Sequence, residues 1–191
     1  MDATGDWFGV LTSLIPPEPG SGETFVPRAG VAGEDAYPQD YVAFMRVYGC
    51  VGIAEEWLGI SPPEGAWSPE FPPGTVETAT AGMCEAWERT GPSDLVARGC
   101  AFWPWGATGG GDTLGWLVDD TNPNSWRTVV HEESGEWRVY DCGMVEFLCR
   151  LLLVDRENPL DVPPILKGVS RPKARHWRTL LAEALADHPA P

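Results

Sequence analysis

Basic residues are scarce in this 191-residue chain: 13 Lys and Arg, only two of them lysine, stand against 28 Asp and Glu, for a formal net charge of −15. Neutralising a phosphate backbone takes clustered cations, so direct recognition of nucleic acid is not expected. Long apolar runs are also missing, and none approaches the ~18 to 20 residues that cross a bilayer. The start, MDATGDWFGVLTSL, carries acids where a secretory signal carries bases. These features predict a cytoplasmic protein without membrane contact.

The five cysteines, at positions 50, 84, 100, 142 and 149, include no Cys-x-x-Cys pair, and their number is odd. That argues against a zinc ribbon or a disulfide framework and for buried thiols. His131, His176 and His188 are isolated from one another, so no metal or other cofactor is expected. The glycine-rich TGGGD at 108–112 lacks the lysine and following helix of a phosphate loop. It reads as a hairpin turn in which glycine supplies positive φ and Asp112 bonds to nearby backbone. No G-x-S-x-G elbow occurs, and His131 with Glu132 and Glu133 reads as a solvated strand end rather than an acid/base cluster. A carboxylate-dependent hydrolase is carried only as a remote alternative.

What is present is a pattern of helices and then strands. Trp7, Phe8, Leu11, Leu14 and Ile15 recur at helical steps before a connector dense in Pro and Gly at 16–39. Tyr41, Phe44, Met45 and Tyr48 mark one face of a second helix, with Pro38 near its start and Gly49 past its end. A Pro/Gly loop at 61–75 precedes a third candidate helix over 77–90, which Gly91 stops. From residue 100 the period shortens: AFWPWG, LGWLVDD, WRTVVH and EWRVYD read as strands joined by short turns, an antiparallel meander within 99–141. GMVEFLCRLLLV then places Met144, Phe147, Leu148, Leu151 and Leu152 on one helical face. A stretch bearing prolines, NPLDVPP, leads to a last amphipathic helix with Trp177, Leu180, Leu181, Ala184 and Leu185 on one side.

The expected fold is a single α+β domain, an antiparallel meander sheet of four to six strands with helices packed on one face. Residues 1–36 form the N-terminal helix and connector, 37–153 the α+β body, and 154–191 a linker with Pro and a basic C-terminal helix. Residues 162–191 hold five bases against two acids, so this end is suited to pair with the acidic remainder of the molecule. Ten tryptophans, most of them expected in the core, include Trp103 and Trp105 on either side of Pro104; one of these two is expected to face outward.

YPQDYVAFMRVYG, AFWPWGATGGGDTLGW, WRTVVHEESGEWRVYD and GMVEFLCRLLL, in that order, resemble the SUKH superfamily, which joins a fungal cell-wall regulator to many bacterial immunity proteins. The resemblance spans roughly 37–153 and rests on Pro38, Tyr41, Phe44, Tyr48 and Gly49, on Phe102 and Pro104, on Gly111, Asp112 and Trp116, and on Phe147 and Leu148. The long segment rich in proline before the first of these motifs and the basic tail after residue 160 depart from the family pattern. The resemblance implies an α+β fold, no catalytic residues and, for bacterial members, neutralisation of toxins, many of them nucleases, by direct binding. On that reading the partner is a protein toxin or another basic protein, and the chain is a monomer when unbound. Candidate contacts are Trp105, Asp112, Asp119, Asp120, Glu132 and Glu133, at the turns of the expected meander. The alternative is an intracellular scaffold or regulator without toxin linkage.

Overall fold

Apolar residues at three- and four-residue steps, closed by capping residues, generate the helices that build this molecule. The computed structural model describes residues 6–23, 33–54, 57–64, 74–153 and 172–187. In α1 (Trp7–Leu14) the Asp6 carboxylate accepts the Gly9 N–H at 2.9 Å and caps the first turn. Helix α2 (Gln39–Tyr48) buries Tyr41, Phe44, Met45 and Tyr48 and ends at Gly49. Gly49 has φ +64°, and a Cβ there would lie 2.4 Å from the Ser21 carbonyl oxygen. A Thr75–Thr78 capping box opens α3 (Val76–Thr90), and α4 (Ser93–Ala97) follows at once. Helix α5 (Met144–Leu152) buries Met144, Phe147, Leu148 and Leu151 along one side.

The strands are β1 (Val51–Ile53), β2 (Leu58–Ile60), β3 (Ala101–Thr108), β4 (Thr113–Val118), β5 (Arg127–His131), β6 (Trp137–Tyr140) and β7 (Ala174–His176), which leads into α6 (Trp177–Asp187). They form one antiparallel sheet in the order β6-β5-β4-β3-β2-β1-β7. The expected α+β class and the β3–β6 meander are what the chain adopts. Among the described residues the sheet has seven strands, above the expected four to six, because β1, β2 and β7 lie outside 99–141. Three-residue strands interrupted by Gly52 and Gly59 carry too little alternation to be read as strands.

Cross-strand register sorts side chains onto two faces. Trp103 pairs with Trp116, and Trp116 with Thr128, so these share a face with Leu114 and Val130; α1, α2 and α5 pack there and close the large core. Phe102 pairs with Leu117, and Gly115 with Val129, on the other face. This second face carries a smaller cluster, closed by Trp87 of α3 and Leu95 of α4. The expected helices on one face describe the large core; α3 and α4 add the smaller one. Gly115 lets the Phe102 ring lie close, since a Cβ there would stand 2.3 Å from a ring carbon.

Both flanking segments join this body in their described parts. Leu11 and Ile15 are fully buried, and β7 pairs with β1 from Val51↔His176 to Ile53↔Ala174. The expected final helix is present as α6, and the residues just before it form strand β7. Positions 65–73, with Trp67, and 154–171, with Lys167 and Arg171, lie outside the described residues, as do 24–32 of the expected connector between α1 and α2.

Phe147 is 3 % exposed, with its ring 5.1 Å from Tyr140 and 6.3 Å from Trp105. Phe147→Ala is expected to lower unfolding free energy by about 3 to 5 kcal/mol. Chemical denaturation measures this, and a loss below about 1 kcal/mol would mean that α5 is not seated on the sheet as described.

Candidate binding surfaces

The six contact candidates separate into three places. Asp112, Glu132 and Glu133 meet at one end of the sheet, where the β3–β4 and β5–β6 turns lie side by side. Gly111 supplies φ +94° in the first turn, as expected for the glycine run. The Asp112 carboxylate accepts the Thr108 hydroxyl at 2.9 Å and the Glu133 N–H at 3.1 Å, so it ties the two turns together. Glu132 pairs with Arg138 at 2.7 Å, and Glu133 is exposed. The His131 ring stacks on Trp137, ring centroids 4.1 Å apart. Half-buried Trp57 belongs to the same end, its carbonyl accepting the Gly109 N–H at 2.7 Å; sequence spacing gave no link between them.

Asp119 and Asp120 lie at the opposite end, the length of β4 away, about 17 to 20 Å for a six-residue strand. Asp119 is paired with Arg127 at 2.7 Å, and exposed Asp120 bonds to the Asn122 N–H at 2.8 Å. The Asp120 carbonyl accepts the Trp126 indole N–H, which fixes the loop that follows.

Trp105 is neither at a turn nor on a surface. It sits at a β-bulge in β3, between Pro104↔Gly115 and Gly106↔Leu114, and is 0 % exposed. Trp103 and Trp105 both belong to the large core, and Trp103 is the partly exposed one, against Trp126 at 5.3 Å. Trp105 is therefore withdrawn as a contact residue.

Beside the Asp119–Asp120 loop lie two open clefts. One, of about 380 Å³, runs between α1, the start of α2 and the start of α5, with Trp7, Phe8 and Trp126 as aromatic lining and Asp6, Asp40 and Glu146 as acids. The other, of about 640 Å³, continues past Ala43 and Asn124, which line both, to Glu34, Asp35 and Asn122. Asn124 belongs to a 3-10 turn, Pro123–Ser125, and its Oδ1 accepts the Gln39 N–H at 2.8 Å. Asp40 accepts the Val145 N–H at 3.0 Å across 105 positions of sequence, capping α5 from α2.

Compared with protein-family models, curated proteins and solved structures, the chain matches none. What its groups can do therefore rests on their surroundings. Burial pushes the thiols of Cys50, Cys142 and Cys149 up to about 12, so each is held protonated and unreactive at neutral pH. Four of the five cysteines are buried, as expected, and Cys84 on α3 is exposed. Among the described residues, no group of three His, Cys, Asp or Glu is placed to hold a metal ion, and no helix is long and apolar enough to cross a membrane.

At the edge where β7 joins the sheet, both ends of the chain are locked together. His176 is buried, with Nε2 3.1 Å from Glu23 and Nδ1 accepting the Arg178 N–H at 3.2 Å, so Nε2 carries the proton donated to Glu23. Arg178 also pairs with Glu23 at 2.9 Å, and Glu18 accepts the His176 N–H and the Thr179 hydroxyl. The basic C-terminal end thus pairs with acids of the N-terminal segment, as its charge suggested.

Burial, then the Arg178 charge, pull His176 below its ordinary 6.5, against Glu23 and Glu18. The fold prefers the neutral ring, so the stabilisation is full above about 6.5 and is lost as pH falls below it. Denaturation midpoints are expected to drop from about pH 7.5 to 5.5, and to drop less in His176→Asn, leaving a share from His131, whose burial acts in the same sense. An identical pH slope in the variant would contradict this role.

Proposed function

We propose that this chain is a non-enzymatic binding protein that neutralises a protein toxin, a nuclease or another effector, by direct contact, as its resemblance to bacterial SUKH proteins implies. Some residues that carry the resemblance meet in the large core: Tyr41 lies edge-on to Trp116 at 4.9 Å, and Phe44, Tyr48, Phe147 and Leu148 are buried in the same cluster. That is consistent with the motifs forming one structural unit rather than a chance series.

The observation that carries the binding reading is the disposition of charge. Arg46, Arg127, Arg138 and Arg150 pair with Glu34, Asp119, Glu132 and Glu146 of the same chain. The surplus of acids is thereby left at the surface, with Asp120, Glu133 and Asp141 exposed at strand ends. Such a surface attracts a basic protein and speeds its encounter. Asp112 and Asp119, tied into the turn and the Arg127 pair, shape the rim, and Glu132 is shared with Arg138. Exposed Asp120 and Glu133 are the steering groups.

Co-expression with the toxin encoded beside this chain's gene is expected to protect cells. Association should slow as salt rises, because exposed charges are screened beyond about 8 Å at physiological ionic strength. Glu133→Lys and Asp120→Lys should mainly lower the on-rate and leave the off-rate nearly unchanged. Failure to protect would favour the intracellular scaffold or regulator, and protection with salt-independent rates would discard the electrostatic account while keeping neutralisation.

A further inference from the structure

The two clefts that meet at Ala43 and Asn124 form one groove of unusual composition for this molecule. Its first part combines the rings of Trp7, Phe8 and Trp126 with the carboxylates of Asp6, Asp40 and Glu146. Arg150 of the chain itself pairs with Glu146 and lies over the Trp7 ring at 5.8 Å, so the charge this groove can offer a ligand comes from exposed Asp6 and Asp35 rather than from Glu146. Aromatic faces beside carboxylates suit a guanidinium better than an ammonium, because the planar cation stacks, is more weakly hydrated and bonds carboxylates in pairs. The second part is lined by Gln39, Asn122 and Asn124, whose side-chain NH2 groups offer donors to an extended backbone while the Asn124 and Asn122 oxygens accept the Gln39 and Asn124 N–H groups, with Glu34 and Asp35 at its rim. Among the described residues Arg46 is the one cation lining either part, and it pairs with Glu34 at 2.6 Å.

We propose that this groove binds an extended, arginine-bearing segment of a partner protein, with an arginine side chain in the aromatic part and the backbone along the amides. The proposal rests on the protein-binding reading and adds to it a place and a side-chain preference. A compact ligand would need only one cleft, whereas a continuous groove with opposite ends of different character fits a segment of several residues.

The test titrates the isotope-labelled full chain with a blocked Gly-Arg-Gly-Arg-Gly peptide, and with the corresponding Lys and Gln peptides, by NMR. Expected are saturable shifts at the Trp126 indole and at the Asn124 and Val145 amides, several-fold weaker binding of the Lys peptide and none of the Gln peptide. Ala43→Trp fills the junction without changing charge and should weaken binding about tenfold or more, as loss of a buried anchor does. Asp94→Lys on α4, which changes net charge away from the groove, should weaken it little. Shifts spread evenly over the acidic surface, or equal weakening by Asp94→Lys and Ala43→Trp, would overturn the proposal. Should Ala43→Trp fail to fold, the location of the shifts in the unaltered chain decides alone. Protection against the toxin without peptide binding would remove the groove and keep the binding function; peptide binding without protection would do the reverse.

Discussion

Helix α2 is the element on which the other parts depend, because its side chains meet four separate segments within ten residues. Tyr41 packs on Trp116 and donates its hydroxyl to the Ser61 carbonyl at 2.8 Å, which holds the end of β2. Tyr48 stacks on Phe44 at 4.7 Å and donates to the Ile15 carbonyl at 2.8 Å, which holds the end of α1. Asp40 reaches α5, and the Gln39 N–H takes Asn124 of the β4–β5 loop. Each buried hydroxyl is satisfied, so the aromatic face gains its burial without leaving a polar group stranded. Burial raises the Asp40 pKa, while N–H bonds from the start of α5 oppose that rise. A carboxylate is tolerable in such a place only because those donors and the positive end of α5 meet its charge.

The sheet meets that helix at a break in its register. The bulge at Trp105 lets its ring enter the core beside Trp116 and Phe147 while the Trp105 carbonyl still accepts the Ser61 N–H at 2.8 Å. Both chain ends then seal the β1 edge: β7 adds the last strand, and Glu18 and Glu23 hold it through His176, Arg178 and Thr179. Covering a β-edge in this way removes a row of unpaired backbone groups that would otherwise template association.

Much of this architecture is legible in the residues alone. The helical stripes of α1, α2, α3 and α5 and the short turns between β3 and β6 carry enough period and punctuation to be read locally. The three-residue strands do not, since pairing with a distant partner rather than their own pattern makes Ala174–His176 a strand. Trp103 and Trp105 show the limit for surface residues: spacing around a proline says nothing about which neighbours will cover a ring. The groove is less legible still, because Asp6, Asp40, Asn124 and Glu146 come from four segments that only the folded core brings together.

On the proposed reading, the paired arginines, the outward acids and the groove beside α2 make up the surface that receives a basic protein. Hydrogen exchange of the chain with and without the toxin proposed as its partner, read segment by segment, tests this most directly. The account predicts slowed exchange over 38–43, 119–126 and 144–146, with α3 and α4 unchanged. Protection confined to α3 and α4, with those three segments exchanging as in the free chain, would contradict it.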